Sequence, residues 1–473
     1  MKQQITTKKF ASNVIFSITA QLISLLVGFL LNLIVPKFID EYQYAYWQTY
    51  LLYVGYVGVL HFGLLDGLVL RYSQYDYDEI DKERVRSQFK ALLIFTGFLS
   101  VAFSVFALSF LTDVTKLTVI LVGVGITTKN LFTYSSYTFQ ITNRIHKYAF
   151  LVITQRVVYG IIVAALLFFG VNDFYWYCIA DLAGDVIGSL AGSRFNKGMY
   201  FGKSISLKKT VSEVKDNVSA GIILMLANWS AILIISFAKM VINWRFDELV
   251  FGKVSFAFSL STLFLTFITA VSVVLFPSLK RLNKEELPKL YKNIRAMLSP
   301  VLLGVLLAYF PGCWILKLWL PKYEGSLVYL GILLPLIVYS SKVNLLTNNY
   351  LKTYRKEKAM LFVNAVCALV GMIVCLLCAY VFHNLTAVLI CIVSTVFLNS
   401  VLSELVVLKV IGEKMVKEFF IEGALVITFI LAVRLCTLWV AGLIYLGAFA
   451  VYCAINYKSI VITLKSILQR KKL

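Results

Sequence analysis

Charged residues, proline and glycine are all scarce in this chain of 473 residues. Asp, Glu, Lys and Arg make up 15% of the residues, whereas they make up about 25% of an average soluble domain. The 7 prolines and 26 glycines are too few for a collagen-like or low-complexity chain. Hydrophobic residues reach 60%, and the mean hydropathy is +0.83. This balance excludes an ordinary soluble enzyme and indicates a polytopic membrane protein.

Residue patterns that mark metal sites and common catalytic sites are also missing. The three histidines are scattered, and the eight cysteines lie inside apolar stretches. Cys375 and Cys378 form a C-x-x-C pair with no second pair and no nearby histidine, so we interpret them as helix-packing residues. No G-x-x-x-x-G-K-[ST] loop, nucleophile elbow or HExxH pattern occurs. We therefore expect no cofactor, no metal, no enzyme activity and no ATP-driven transport within this chain.

Apolar blocks recur along the whole sequence, and each is long enough to cross about 30 Å of hydrocarbon as a helix. Backbone groups cannot stay unpaired in lipid, so helices are the expected structure for such blocks. We predict an all-α polytopic membrane protein with about fourteen transmembrane helices, at 12–36, 45–70, 90–111, 117–142, 149–170, 173–193, 217–239, 251–278, 296–320, 326–350, 359–381, 385–408, 419–440 and 441–464.

The basic residues fix the expected orientation of these spans. With a cytoplasmic N-terminus, 34 of the 45 Lys and Arg residues fall in cytoplasmic segments, six in outer loops and five within spans. This asymmetry follows the positive-inside rule, and a missed span would invert it. The net charge of +21 is therefore explained without nucleic acid, for which no basic tail with interleaved aromatic residues exists. We predict that both termini are cytoplasmic.

A weak internal repeat joins the two halves of the chain. A stretch of two hydroxyl residues and Lys, followed by T-x-R-x-x-K, occurs at 127–147 and again at 340–358, and 38–47 resembles 241–252. The offset is slightly over 200 residues, or six spans, which keeps the two halves in the same orientation. We predict two six-helix lobes, 1–200 and 201–410, with two appended helices in 411–473.

The sequence resembles the oligosaccharide-lipid flippases, the Wzx-type polysaccharide biosynthesis proteins of the MOP superfamily, which also contains MATE exporters and lipid II flippases. The resemblance rests on four places: Pro36 with Ala45-Tyr46-Trp47, the Gly63-Leu64-Leu65-Asp66-Gly67 stretch through Arg71-Tyr72, Leu275-Phe276-Pro277-Ser278-Leu279, and the corners at Arg144 and Arg355. Ala45 and Val250 replace a glycine that the family usually has before spans two and eight.

This resemblance implies a MATE-like fold in a bacterial plasma membrane. It also implies translocation of an undecaprenyl-pyrophosphate-linked oligosaccharide to the outer leaflet by alternating access, for capsule, O-antigen or exopolysaccharide assembly. Membrane lipids and polymerase or export machinery would then be partners. A MATE-like cation-coupled exporter of small molecules is the alternative. A membrane polymerase or acyltransferase would need large outer loops or a catalytic His/Asp motif, and the loops here are short.

Charged residues inside the spans are the candidate site residues, because they usually face a cavity or a partner. Lys129 and Lys342 lie at matched places in the two lobes and are our candidates for gripping an anionic head group. The alternative is a structural pair with Asp181 or Asp185. These two aspartates share a helix face at i,i+4, so they form either a proton or sodium site or the counter-charge of Lys129 or Arg156.

Further substrate-binding candidates lie nearer the ends of the spans. Arg156 is about two turns inside span five, and Lys253 and Arg434 lie near the outer face, where they could equally snorkel to the interface. Asp66 and Arg71 could pair across a helix turn or contact substrate at the inner mouth. We interpret Glu404, close to a cytoplasmic helix end, as solvated.

Overall fold

The computed structural model describes residues 7–280 and 285–457, without the side chains of 7–15, 17–18, 264 and 266–280. The side chains of the Leu275–Leu279 stretch lie outside the described ones, and so do residues 1–6 and residues 458–473, which include the end of the predicted span 441–464 and the predicted cytoplasmic tail. Within these ranges all regular structure is helical, which confirms the all-α prediction. We number the helices α1 Thr7–Phe29, α2 Glu41–Val54, α3 Leu64–Tyr72, α4 Lys82–Phe110, α5 Asp113–Ile141, α6 Ile145–Phe168, α7 Phe174–Phe195, α8 Leu207–Arg245, α9 Glu248–Lys280, α10 Leu287–Trp319, α11 Pro321–Leu333, α12 Leu336–Thr353, α13 Glu357–Val381, α14 Leu385–Ile411, α15 Val416–Leu435 and α16 Leu438–Ile455.

Helices occupy each of the fourteen predicted apolar blocks, and the protein is a multi-pass membrane protein. Within the described residues, nine helices are long and apolar enough to cross a membrane, and up to eleven if two bent pairs are each one span. The three helices outside that set are α7, α9 and α15, which have 22, 33 and 20 residues. The number fourteen stays a prediction, because charges within α7 and α15 lower their apolar character.

Capping residues explain where several helices begin. Asp40 precedes α2 and accepts a hydrogen bond from the Tyr42 amide at 2.8 Å. Asp81 accepts hydrogen bonds from two amides in the first turn of α4, and Asn384 accepts one from the Ala387 amide in the first turn of α14. Each side chain satisfies amides that have no partner within the helix, as Asp and Asn at this position are expected to do.

Two of the spans are sharply bent. Helix α2 continues through a 3-10 turn to His61, and the axis of this whole segment differs from that of α3 by 55° across a break at Phe62 and Gly63. The α11 and α12 axes differ by 49°. Pro335 lies at the second break, where its missing N–H and its ring interrupt the helical hydrogen bonds.

Contacts between Cα atoms divide the chain into two compact units, Met1–Trp229 and Ser230–Leu473. The division falls inside α8, which therefore contributes to both units. In the first unit α5 is central, and it packs against α2, α3, α4, α6 and α7. In the second unit α14 packs against α11, α12 and α13, and α11 also packs against α9 and α15. The predicted boundaries at 200/201 and 410/411 stay a proposal.

Packing within the two units follows the predicted repeat. Spans four and six are neighbours in the first unit (α5 and α7), as are spans ten and twelve in the second (α11–α12 and α14). Spans five and six, and spans eleven and twelve, also pack side by side. The helix before each T-x-R-x-x-K corner ends at a left-handed residue, Asn143 or Arg355. The structural match is thus shifted by one residue from the sequence match, which pairs Arg144 with Arg355.

Three glycines at intervals of four residues form a close-packing stripe on α7. A Cβ at Gly184 would lie 2.9 Å from the backbone oxygen of Gln155 on α6. At Gly188 and Gly192 it would lie 2.8 Å from the Phe132 ring and from the Ser135 Cβ on α5. Small residues at this spacing let membrane helices approach closely. The stripe therefore sets how near α7, with Asp181 and Asp185, lies to α5 and α6.

We expect Gly184→Ala to lower stability by about 1–3 kcal/mol, because the added methyl group meets backbone that cannot rotate away. Gly447→Ala in α16 is the matched control, since a Cβ there meets nothing within 4 Å. It should be neutral or stabilising by up to about 1 kcal/mol. Thermal unfolding of both variants in detergent checks this, and equal midpoints would contradict the packing role of the stripe.

Candidate functional site

Lys129 binds both candidate aspartates in the first unit. Its Nζ lies 2.7 Å from Asp181 Oδ2 and 2.8 Å from Asp185 Oδ2. The two carboxylates occur one turn apart on the face of α7 that meets α5, as the i,i+4 spacing predicted. We call Lys129, Asp181 and Asp185 the first ion cluster. It carries one positive and two negative formal charges.

Neutral hydrogen-bond donors complete the coordination of this cluster. Tyr50 on α2 donates to Asp181 at 3.1 Å, and Gln155 on α6 donates to Asp185 at 3.2 Å. Four helices thus converge on three ionisable groups. The aspartates are nearly sealed, with 5% and 1% of their side-chain surfaces exposed, whereas Lys129 keeps 25% exposed. The lysine is therefore the member of the cluster with the most exposed side-chain surface.

A second ion cluster in the second unit surrounds Lys342. The Lys342 Nζ lies 2.9 Å from Glu404 Oε2 on α14 and 2.7 Å from Glu422 Oε2 on α15. Arg295 on α10 pairs with both glutamates, and its Nη2 lies 3.2 Å from Glu422 Oε1. Tyr291, also on α10, donates to Glu404 at 3.0 Å.

This second cluster is closed and electrically balanced. Its two cations and two anions each expose at most 4% of their side chains. The Phe419 ring lies 5.6 Å from the Arg295 guanidinium carbon and 5.8 Å from Lys342 Nζ, so it covers the cations. Four helices, α10, α12, α14 and α15, are joined by these contacts. A buried pair broken on one side leaves an uncompensated charge, which is strongly destabilising.

The second cluster corrects three sequence-based interpretations. Lys342 does not pair with Asp181 or Asp185, since its partners are Glu404 and Glu422. Glu404 is fully buried rather than solvated. Arg295 was counted as a cytoplasmic-loop residue, but it lies on α10 with 3% of its surface exposed. Glu422 was missed. Its position one turn into a hydrophobic helix was a signal, because acidic residues there require a partner.

Asp66 and Arg71 do not pair with each other. Asp66 lies 3.7 Å from the His61 ring, and both side chains are buried. Arg71 pairs with Glu213 on α8 at 3.0 Å and donates to Asn217 at 2.5 Å. Both residues therefore lie in the first unit but outside its ion cluster.

The remaining candidates lie apart from both clusters. Arg156 is half-buried on α6, directly after Gln155, and it is not a member of the first ion cluster. Arg434 donates to Thr386 at 3.0 Å in an exposed setting, which agrees with an interfacial position. Lys253 is half-buried on α9, and its Cδ lies beside Gly325. Within residues 7–280 and 285–457, no group of three His, Cys, Asp or Glu residues could hold a metal ion.

The protein has the fold of MOP superfamily transporters. It is similar to the lipid II flippase MurJ in an inward closed conformation, with 13% identity, a TM-score of 0.67 and coverage of 95% of this chain and 100% of that chain. It also resembles an inward-facing multidrug resistance MATE family transporter, with 13% identity, a TM-score of 0.63 and coverage of 83% and 98%. A MATE in the straight conformation matches with 14% identity, a TM-score of 0.54 and coverage of 85% and 96%.

No protein-family model matches the sequence, and no curated protein matches it. The likeness therefore lies in the arrangement of helices, and it confirms the MATE-like all-α fold predicted from the sequence.

We expect Glu422→Gln to lower the free energy of unfolding by about 3–5 kcal/mol, because it leaves two buried cations facing one carboxylate. Glu418→Gln, four residues earlier on the same helix and part-exposed, should change it by less than about 0.5 kcal/mol. Thermal unfolding in detergent compares the two variants. A Glu422→Gln protein as stable as the Glu418→Gln protein would show that the second cluster does not hold α15 in place.

Proposed function

We propose that the protein is a flippase for a lipid-linked oligosaccharide, carried on undecaprenyl pyrophosphate from the cytoplasmic to the outer leaflet of a bacterial plasma membrane. Both termini would be cytoplasmic. The exported units would serve capsule, O-antigen or exopolysaccharide assembly, with polymerase or export machinery downstream.

The extent of the structural likeness is the observation that carries this proposal. The lipid II flippase matches along its whole length and leaves 5% of this chain unmatched, whereas the MATE transporter leaves 17% unmatched although 98% of it is used. The chain thus matches the lipid flippase over a larger share of its length than it matches the MATE transporter. Helix α15 packs as part of the second unit, because Glu422 on α15 forms an ion pair with Lys342 in the second ion cluster.

Lys129 is the residue that we assign to the pyrophosphate. Its ammonium group is a point charge with three donors, and it is the exposed member of the first cluster. Pyrophosphate oxygens can replace the carboxylates around it. Asp181 and Asp185, once released, would sit as two bare carboxylates in a low-dielectric setting, where they would take up a cation or protons. Binding of substrate and binding of a coupling ion then share one lysine.

The physics of the cargo fits this scheme. A pyrophosphate with about two negative charges gains roughly 2.3 kcal/mol per charge per 100 mV when it moves outward across an inside-negative membrane. The sugar hydroxyls would lose their water partners in bare lipid, so they need a protein path.

A cation-coupled exporter of small molecules is the second candidate function. The observation that favours it is the excess of carboxylate in the first cluster, where two aspartates face one lysine. A cationic substrate or coupling ion would neutralise that excess.

Reconstitution separates the two functions. In liposomes with a fluorescent undecaprenyl-pyrophosphate-linked oligosaccharide, the protein should accelerate leaflet exchange at least tenfold over empty liposomes, as measured by quenching from outside. An inside-negative membrane potential, set by a potassium gradient, should accelerate movement of the labelled lipid from the inner to the outer leaflet. Unchanged lipid exchange together with proton- or sodium-driven efflux of organic cations would refute the flippase and support the exporter.

Asp185→Asn tests the coupling role of the first cluster. We expect it to remove the dependence of transport on an imposed proton or sodium gradient while the response to membrane potential remains, because the released site can no longer bind a cation. Asp173→Asn, at the exposed residue before α7, is the matched control and should behave as wild type, because Asp173 makes no side-chain capping hydrogen bond and Asn can still accept the hydrogen bond from the Tyr175 hydroxyl. Gradient-dependent transport by Asp185→Asn would rule out this carboxylate as the ion site.

A further inference from the structure

Helix α3 is a short arm joined to α2 by a strained break. Phe62 has φ 49° and Gly63 has φ 82°, so two consecutive residues are left-handed. The phenylalanine adopts this conformation at a cost, since left-handed backbone favours glycine. The break is where α3 departs by 55° from the axis of α2. It is therefore the natural pivot of the arm.

Helix α3 lies backbone to backbone on the first part of α8. A Cβ at Gly67 would overlap the carbonyl oxygen of Asn217, and one at Gly221 would overlap the carbonyl oxygen of Gly63. A Cβ at Gly63 would lie 2.6 Å from the amide nitrogen of Ile222. No residue with a side chain fits at any of these contacts without separating the helices.

Polar side chains at the C-terminal end of α3 bind side chains of α8. The Arg71 guanidinium lies 3.0 Å from Glu213 and donates to Asn217 at 2.5 Å. Tyr72 donates to Glu213 at 2.6 Å, and Asn217 in turn donates to Gln88 on α4. Glu213 and Asn217 are buried, with 7% and 0% exposed. We call Arg71, Tyr72, Glu213 and Asn217 the clasp.

The clasp acts on a helix that belongs to both units. Helix α8 has 39 residues, a length of about 58 Å, which exceeds the hydrocarbon thickness of about 30 Å. Its clasp residues lie in the first unit, and the helix continues past Trp229 into the second.

A crevice of about 540 Å³ borders the clasp on one side. It is lined by Arg71 and Tyr72 of the clasp, by residues of the loop after α3, and by Arg84 of α4. The charge distribution of the sequence assigns this end of the molecule to the cytoplasm. Arg71 and Tyr72 thus belong both to the crevice wall and to the clasp.

We propose that α3 and the first part of α8 form the cytoplasmic gate of the transporter, pivoting at Phe62–Gly63 and held shut by the clasp. This inference rests on the proposed transport function. Opening breaks the Arg71–Glu213 ion pair and the glycine contact together, so the gate has two states rather than a graded range. Each broken contact becomes hydrated on the crevice side, which keeps the open state accessible.

Thiol accessibility tests the gate without any cargo. Val218, half-buried beside the clasp on α8, is replaced by cysteine, and a membrane-impermeant maleimide is added to inside-out vesicles. Labelling at position 218 is quantified by mass spectrometry, which separates it from the native cysteines. Glu213→Gln should raise the labelling rate about three- to tenfold, because the ion pair that holds the closed state is lost.

Two further variants complete the test. Gly67→Ala should raise the labelling rate as well, whereas Gly97→Ala on α4, where a Cβ meets nothing within 4 Å, should leave it unchanged. The charge swap Arg71→Glu with Glu213→Arg should return the rate toward that of the protein with only Val218→Cys. Circular dichroism and thermal unfolding establish that each variant is folded.

Unchanged labelling in the folded Glu213→Gln variant would overturn the gate, and so would equal labelling in the Gly67→Ala and Gly97→Ala variants. The result is independent of the substrate assignment. If leaflet exchange fails but labelling responds as expected, the cargo is wrong and the gate stands. If exchange succeeds and labelling does not respond, the gate is wrong and the flippase stands.

Discussion

A lysine inside an apolar helix bundle must be matched by carboxylates, and this constraint organises both halves of the structure. Insertion of an isolated charge at the bilayer centre costs about 2.5–3.5 kcal/mol. Lys129 and Lys342 avoid that cost through ion pairs of 2.7–2.9 Å. Each lysine draws carboxylates from other helices towards its own. The contacts that neutralise each lysine therefore also hold its helix against the neighbouring helices.

The two halves keep the cation but surround it differently. In the first unit one lysine faces two aspartates and stays a quarter exposed, with tyrosine and glutamine supplying hydrogen bonds. In the second unit an added arginine balances two glutamates and the group is sealed. The first cluster is unbalanced and partly exposed, whereas the second is balanced and sealed. Under the proposed function, the lysine at the matched position would contact the cargo in one half and hold helices together in the other.

Local sequence signals predicted the helices, the repeat and the lysines. Apolar runs and basic loops can be recognised from neighbouring residues alone. Asp181 and Asp185 are one turn apart, so the sequence predicted a pair of carboxylates on one helix face, with Lys129 as a possible partner. The second cluster was not, because Lys342 and Glu422 are 80 residues apart and Arg295 and Glu404 are 109 apart. Helix bends are equally non-local, since the break after α2 brings Arg71 to Glu213 rather than to Asp66.

The division of labour between the two lysines is the central claim, and transport per folded molecule in the same liposomes tests it most directly. The account predicts that Lys129→Met protein, which loses the cation of two buried aspartates, unfolds less far below the wild-type temperature than Lys342→Met protein does, and that its folded molecules translocate at less than about a tenth of the wild-type rate. Lys342→Met protein should unfold at a clearly lower temperature, while the molecules that remain folded translocate at close to the wild-type rate. The opposite pattern, or equal loss of rate per folded molecule in both variants, would contradict it.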